Sequence, residues 1–246
     1  MRRGAVRLRW LMPETADATT LAAWHATLDA GEQARAASFR AEVDRRAYVA
    51  AHALARAMLE QAGGLPAAAW RFARGPQGRP EPDPPNGLRF SLSHTRGLVA
   101  CAVTLTDDIG LDVEDLARPP ASPGLAERYF APQEAALLAA LPPEQRHEAF
   151  LRLWTLKEAY VKATGEGISA GLDRFAFTLD PPRLAFAPGG TVPWRVLQWQ
   201  PTPGHVLALA LRRSPAATAV PALPARQSRT DPPAAPAAKR SSPPPA

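Results

Sequence analysis

Phe150-Leu151-Arg152-Leu153-Trp154-Thr155-Leu156-Lys157-Glu158-Ala159-Tyr160-Val161-Lys162 is the stretch on which the reading of this chain turns. It is built of good helix formers and is followed by Gly165, so it predicts a helix over 150–164. Phe150, Leu153, Leu156, Tyr160 and Ala163 recur at helical spacing as an apolar stripe for a core. Arg152, Thr155, Glu158 and Lys162 form a second stripe, with Trp154 and Lys157 at its border. Glu158 and Lys162 stand at i, i+4, so a carboxylate and an ammonium share one face. Taken alone, that pair is a surface ion pair on an amphipathic helix.

Upstream segments change its weight. Residues 109–114 (Ile-Gly-Leu-Asp-Val-Glu) read as a strand, and residues i and i+2 of a strand project to the same face. Asp112 and Glu114 therefore point together, while Leu111 and Val113 turn the other way into a core. Two adjacent carboxylates repel, and burying them without a cation is costly. Either a divalent metal or open solvent at a strand end resolves the repulsion, and Asp108 and Asp115 nearby fit a solvated acidic rim. Among metals, an all-oxygen set favours Mg²⁺ or Mn²⁺ over zinc. A preceding strand, 88–94, ends in Ser91-Leu92-Ser93-His94-Thr95, with two hydroxyls on one face and a histidine at the tip. It is either a polar strand end or a phosphate contact made by His94 and neighbouring amides. Between these two strands, residues 98–106 are almost wholly apolar and predict a strand buried on both faces. Thr106-Asp107-Asp108 makes the turn that follows it.

Further out the chain alternates helices and short strands. Residues 5–11 alternate as a strand, Thr20 is placed to cap a helix through Leu28, and a longer helix is predicted from 44 to 61, closed by Gly63-Gly64. Residues 74–89, rich in Gly, Pro and Arg, read as a loop without the spacing of a phosphate-cradling P-loop. Helices are expected at 126–130 and 132–141, and short strands at 175–179, 183–187, 194–199 and 205–211. From Ser214 onward the residues are largely Pro, Ala, Ser and Arg, a composition expected to stay disordered.

Composition narrows the function classes. With 246 residues and 46% hydrophobic content, the chain can bury one sizeable core or two modest ones. No apolar run approaches the length of a membrane span, and Arg7, Arg9 and Pro13 interrupt the charged N-terminus. The single cysteine, Cys101, is expected to be a buried thiol. A soluble, cytoplasmic protein is the expectation. Of the net charge of +6, residues 214–246 hold half, with Arg226, Arg229, Lys239 and Arg240 against Asp231. The remaining arginines are scattered without aromatic interleaving, so a small anionic ligand explains them better than a nucleic acid.

Gly78-Arg79-Pro80, then Phe90-Ser91-Leu92-Ser93-His94-Thr95, then Gly110-Leu111-Asp112-Val113-Glu114, then Trp154-x-x-Lys157-Glu158-x-x-x-Lys162 occur in that order. In this the chain resembles the two-lobed 4′-phosphopantetheinyl transferases, which activate carrier proteins of non-ribosomal peptide, polyketide and fatty-acid synthases. The resemblance covers roughly residues 5–212, with Arg79 where the family commonly has lysine and Ser91 where it often has asparagine.

The resemblance implies an α+β fold with a pseudo-twofold pair of similar lobes, each a long helix on a small, mostly antiparallel sheet. It places the active site in the cleft between them. The lobes would be 1–106 and 107–213, with 214–246 outside the pattern. The implied reaction moves the phosphopantetheine arm of coenzyme A to a serine of an apo acyl or peptidyl carrier protein, releasing 3′,5′-ADP. Asp112, Glu114 and Glu158 would hold Mg²⁺ (or Mn²⁺), Lys162 would touch the phosphates, and Lys157 would be a second contact. Glu158 would also be the base that takes the serine proton, directly or through a bound water. Arg79, Ser93 and His94 would hold the adenosine 3′-phosphate region, helped by Arg40 and Arg46. The class is usually monomeric, and no membrane or nucleic-acid partner is expected. An idle relative that only binds coenzyme A or a carrier protein is the alternative, and the three converging carboxylates argue against it.

Overall fold

The structure, a computed structural model, describes residues 1, 4–75, 78–122, 124–192 and 194–213; the expected disorder of 214–246 lies outside the described residues. Strand β1 (Val6–Leu11) leads into helices α1 (Ala18–Ala26), α2 (Ala30–Ala37) and α3 (Glu42–Gly63). A hairpin of β2 (Arg71–Arg74) and β3 (Pro80–Asp83) follows, then β4 (Leu88–Thr95) and β5 (Leu98–Leu105). The second half retraces this path. It runs through β6 (Asp108–Asp115), helices α4 (Leu125–Tyr129), α5 (Pro132–Ala140) and α6 (Pro143–Thr164), and a hairpin of β7 (Ala176–Leu179) and β8 (Pro182–Phe186). Strands β9 (Trp194–Thr202) and β10 (His205–Arg212) close it.

Each half folds its first, last and penultimate strands into one antiparallel sheet, ordered β1-β5-β4 and β6-β10-β9. The expected α+β pair of similar lobes is therefore present, and the duplication extends to chain path. In β5 the alternation of a strand sends Val99, Cys101 and Val103 towards the core beneath α3. Leu98, Ala100 and Ala102 point the other way and meet Ile109, Leu111 and Val113 of β6 in a core shared by both sheets. Cys101 is buried, as expected. The third core lies between α6 and the second sheet, and holds the predicted stripe of Phe150, Leu153, Leu156, Tyr160 and Ala163.

The two long helices match in detail. Both run 22 residues and stop at a left-handed glycine, Gly64 (φ 79°) and Gly165 (φ 74°), where a side chain would be strained. Counted from the helix starts, Arg56 and Lys157 occupy the same place (56 − 42 = 157 − 143 = 14), and both are fully buried. Each meets the third residue of the preceding helix: Arg56 Nη2 lies 2.6 Å from Glu32, and Lys157 Nζ 2.6 Å from Glu134. Glu32 and Glu134 also accept the backbone N–H of Asp29 and Ala131, closing the starts of α2 and α5. Each cation lies over a ring, Arg56 over Phe72 at 4.4 Å and Lys157 over Phe175 at 4.6 Å.

Some local expectations need correction. Part of the predicted loop 74–89 is the β2–β3 hairpin; Pro80 and Pro82 fit there because a two-stranded ribbon has only edge strands. Helix α1 is capped by Asp17, whose carboxylate accepts the N–H of Thr20 at 2.7 Å, so Thr20 is not the cap. Helix α6 starts at Pro143, seven residues before the predicted start, with proline in its first turn. The turn at Thr106 (φ 71°) carries the chain from one sheet to the other.

Candidate active site

The site lies where β4, β6 and α6 meet. Strand β4 is the edge of the first sheet and β6 the edge of the second, so each has a row of unpaired backbone groups. The hydroxyls of β4 cover that row. Ser91 Oγ accepts the N–H of Leu111 at 2.9 Å, Ser93 Oγ that of Val113 at 3.3 Å, and Thr95 Oγ1 that of Asp115 at 3.3 Å. Hydroxyl side chains at every second position thus join the lobes through a ladder of hydrogen bonds. The sequence carries this signal as Ser91-x-Ser93-x-Thr95, a pattern that reads as a polar strand end or a phosphate contact and does not by itself reveal a seam between sheets.

On the face of β6 that carries Asp112 and Glu114, Gly110 lets α6 approach to backbone contact. A Cβ at Gly110 would stand 1.8 Å from the Ala159 carbonyl oxygen and 2.5 Å from the Ala163 nitrogen. No side chain fits, so the glycine ahead of Asp112 is what admits the next turns of the helix. Glu158 and Lys162 flank Ala159 and Ala163 and are thereby held over the carboxylates of β6.

Lys162 Nζ donates to Asp112 Oδ1 at 2.7 Å and to Ser93 Oγ at 3.1 Å, and Ser93 Oγ donates to Asp112 Oδ1 at 2.8 Å. The Glu158–Lys162 pair is therefore more than a surface ion pair, because its lysine reaches across to another strand. Asp112 Oδ2 and Glu158 Oε1 are buried and accept no hydrogen bond among the described residues. Burial, with Asp112 and Glu114 adding to it and Lys162 opposing, pushes the Glu158 carboxyl up to about 7. Glu114 is also raised, by burial and by Asp112, although Arg118 Nη1 lies 2.7 Å from its Oε1. Among the described residues no three His, Cys, Asp or Glu side chains are gathered as a ready metal site. Asp112, Glu114 and Glu158 are thus electrostatic neighbours, with Glu114 turned to Arg118.

The predicted anion contacts divide. His94 is exposed at the strand end; crowding on its protein side, then the charge of Lys162, hold its imidazole below the usual range. Arg79 crosses to the second lobe and donates to the carbonyls of Ala163 and Ile109, both at 3.2 Å. The Ala163 carbonyl belongs to the last turn of α6, where such groups lack helical partners. Arg40 is exposed in the bend between α2 and α3.

Four residues lie otherwise than expected. Lys157 is not at the site: α6 turns it about 100° from Glu158, where it is fully buried against Glu134 and the carbonyls of Leu172 and Phe175. Burial pushes the Lys157 ammonium down and the Glu134 carboxyl up, and their 2.6 Å contact opposes both shifts. Arg46 points away and donates to the carbonyls of Pro13 and Ala16, tying down the segment after β1. Ser93 directs its only proton to Asp112 at 2.8 Å. Thr155, placed on the polar stripe, is buried and bonded to the Leu151 carbonyl and Gln198.

A duplicated α+β fold, with acids on one strand and one helix set against a lysine, defines a two-lobed transferase. Residues 108–210 match the model of the 4′-phosphopantetheinyl transferase superfamily, a span that includes Asp112, Glu114, Glu158 and Lys162. The chain is 36% identical over 208 residues to the 4′-phosphopantetheinyl transferase HetI of Nostoc sp., covering 82% of this chain and 86% of that one. It is 31% identical over 193 residues to the 4′-phosphopantetheinyl transferase psf-1 of Bacillus pumilus, covering 77% and 81%. Against the 4′-phosphopantetheinyl transferase Sfp of Bacillus subtilis the figures are 31% over 142 residues, 56% and 62%. The chain belongs to the 4′-phosphopantetheinyl transferase superfamily and is an enzyme of that type. No helix among the described residues is long and apolar enough to cross a membrane.

Proposed function

We propose that this enzyme transfers the 4′-phosphopantetheine arm of coenzyme A to a serine hydroxyl of an apo acyl or peptidyl carrier protein, releasing 3′,5′-ADP. The observation that carries the reading is the pair of buried, unpartnered carboxylate oxygens, Asp112 Oδ2 and Glu158 Oε1, set beside Lys162. Buried charged oxygens without donors are costly, and a hard divalent cation satisfies both. The donor set fits Mg²⁺ or Mn²⁺, which Asp112, Glu114 and Glu158 would hold. When bound, the ion supplies positive charge against the pyrophosphate of coenzyme A.

The chain's own residues do the rest. Lys162 keeps about a third of its side chain open (31%), so its ammonium is accessible to a phosphate oxygen while anchored on Asp112. Glu158, which shares a helix face with Lys162, is the group assigned to accept the serine proton. The serine oxygen bonds to the phosphorus that carries the pantetheine arm. The bond from that phosphorus to the bridging oxygen breaks, and its electron pair leaves on 3′,5′-ADP. Arg79, His94 and the exposed Arg40 are the groups assigned to the adenosine 3′-phosphate side. The cleft between lobes that divide at 106/107 is the substrate site, and the protein acts as a cytoplasmic monomer.

Intact-protein mass spectrometry of an apo carrier protein with this enzyme, coenzyme A and Mg²⁺ tests the proposal. A phosphopantetheine-sized mass gain that disappears with Glu158→Ala and with a chelator is expected. Coenzyme A binding with no gain on any carrier class would instead support a binding module.

A further inference from the structure

We infer that Ser93 is a positioning residue for Asp112, orienting that carboxylate so that its second oxygen is presented to the metal. The inference rests on the function proposed above. A serine hydroxyl has one proton and two lone pairs. In Ser93 all three are committed: the proton to Asp112 Oδ1 at 2.8 Å, and the lone pairs to Val113 N–H at 3.3 Å and Lys162 Nζ at 3.1 Å. The residue is 6% exposed.

The consequence falls on Asp112. Rotation about the terminal torsion of an aspartate is soft and nearly two-fold, so a carboxylate held at one point by a flexible lysine swings readily. Ser93 adds a second, rigid bond to the same oxygen, Oδ1, from a strand locked onto the backbone of Val113. Oδ1 is thereby occupied twice, by Ser93 and Lys162, and Oδ2 is left buried without a partner. Groups that fix a metal-ligating carboxylate in this way are typically worth about 10–100-fold in metal affinity.

The neighbouring rungs provide the control. Ser91 makes the same seam bond, to Leu111 N–H at 2.9 Å, and among the described residues it bonds to no carboxylate. Metal affinity is read without coenzyme A, from the electron paramagnetic resonance signal of free Mn²⁺ titrated into the full-length protein. The Mn²⁺ Kd is expected to rise roughly 10–100-fold in Ser93→Ala and to stay within about threefold of the unsubstituted protein in Ser93→Thr and Ser91→Ala. At saturating Mn²⁺ the KM for coenzyme A in Ser93→Ala is expected to be unchanged. Should Ser93→Ala fail to fold by thermal melting, Ser93→Cys, nearly isosteric and a weak donor, replaces it with the same expectation.

An unchanged Mn²⁺ Kd in the Ser93 variant overturns the inference, as does equal weakening in Ser91→Ala, which would assign the effect to the seam alone. A raised KM for coenzyme A that vanishes with the 3′-dephospho form, at unchanged Mn²⁺ affinity, makes Ser93 a phosphate contact instead. No Mn²⁺ binding by the unsubstituted protein overturns both the inference and the metal site beneath it, which separates the two failures.

Discussion

At the scale of the residue, two adjacent positions of one helix, Lys157 and Glu158, have opposite tasks. Lys157→Met would leave Glu134 buried and unpaired, at a cost of about 3–5 kcal/mol. The melting temperature should then fall by roughly 10 °C or more, whereas Glu158→Ala should abolish transfer with little change in melting. Calorimetry beside the transfer assay separates the two; a Lys157 variant of normal stability and no activity would return that lysine to the site. Glu158 makes a pH-dependent prediction for the metal-free protein. Its folded carboxyl, about 7, lies above the unfolded value of about 4.3, so the folded state binds the extra proton between them. The stability this contributes is full below the unfolded value and is lost as pH rises through the folded one. Asp112 and Glu114 from β6 raise the carboxyl and Lys162 opposes them. Glu158→Gln removes the dependence, so between pH 5 and pH 8 it should gain on the unsubstituted protein by about 1 kcal/mol after solvent screening, or about 2–4 °C. Thermal melts with a chelator at both pH values check this. Asp112, Glu114, Glu158 and Lys162 were legible in the sequence because strand and helix periods place them on shared faces. Lys157 was misread because it sits at the border between two stripes, and only the position of α5 decides which way it turns.

At the scale of the element, the approach of α6 to β6 is set by a missing side chain. Gly110→Ala would drive a methyl group into the Ala159 carbonyl, 1.8 Å away, and backbone on both sides cannot yield cheaply. Overpacking of this kind costs roughly 1–3 kcal/mol and sometimes more, so a melting temperature lower by about 5–10 °C is expected. Activity should fall further than stability, because Glu158 and Lys162 ride on the displaced turns. Gly204→Ala, where an added methyl meets nothing within 4 Å, is the matched comparison and should change neither. Equal behaviour of the two variants in melting and transfer assays would disprove this account of the contact. Most elements could be read from periodicity, as the apolar run at 98–106 and the stripe of α6 show. Helix α2 escaped because its eight residues carry little apolar pattern; its one signal was Asp29 followed by Glu32, which the structure shows as a reciprocal cap. The hairpin of β2 and β3 escaped because proline argues against central strands and says nothing against edges.

At the scale of the whole molecule, the matching sheets and the Arg56 and Lys157 braces make the second half a repeat of the first, yet only the second carries the acids. Alanine and glutamine (Ala57 and Gln61) stand in α3 where α6 has Glu158 and Lys162, at the same distance beyond the brace. Composition and periodicity do not show this duplication, which only the family resemblance leads one to expect, because the shared features are burial and chain path and few residues are common to both halves. The ends of the folded body come together at the turn between the halves: Val6 pairs with Thr104, and Arg212 pairs with Asp108 and holds its carboxylate at 2.6 Å. Thr104 and Asp108 are four residues apart, so the first strand and the last finish on either side of one connection. The order of the halves is therefore not essential to the architecture. A circular permutant that joins residue 213 to residue 4 through a short glycine-serine linker and opens at Thr106-Asp107 should keep the circular dichroism spectrum and transfer activity of the parent. It would begin with the half that bears the acids and end with the half that lacks them, showing that the catalytic constellation depends on which strands lie side by side and not on which was made first.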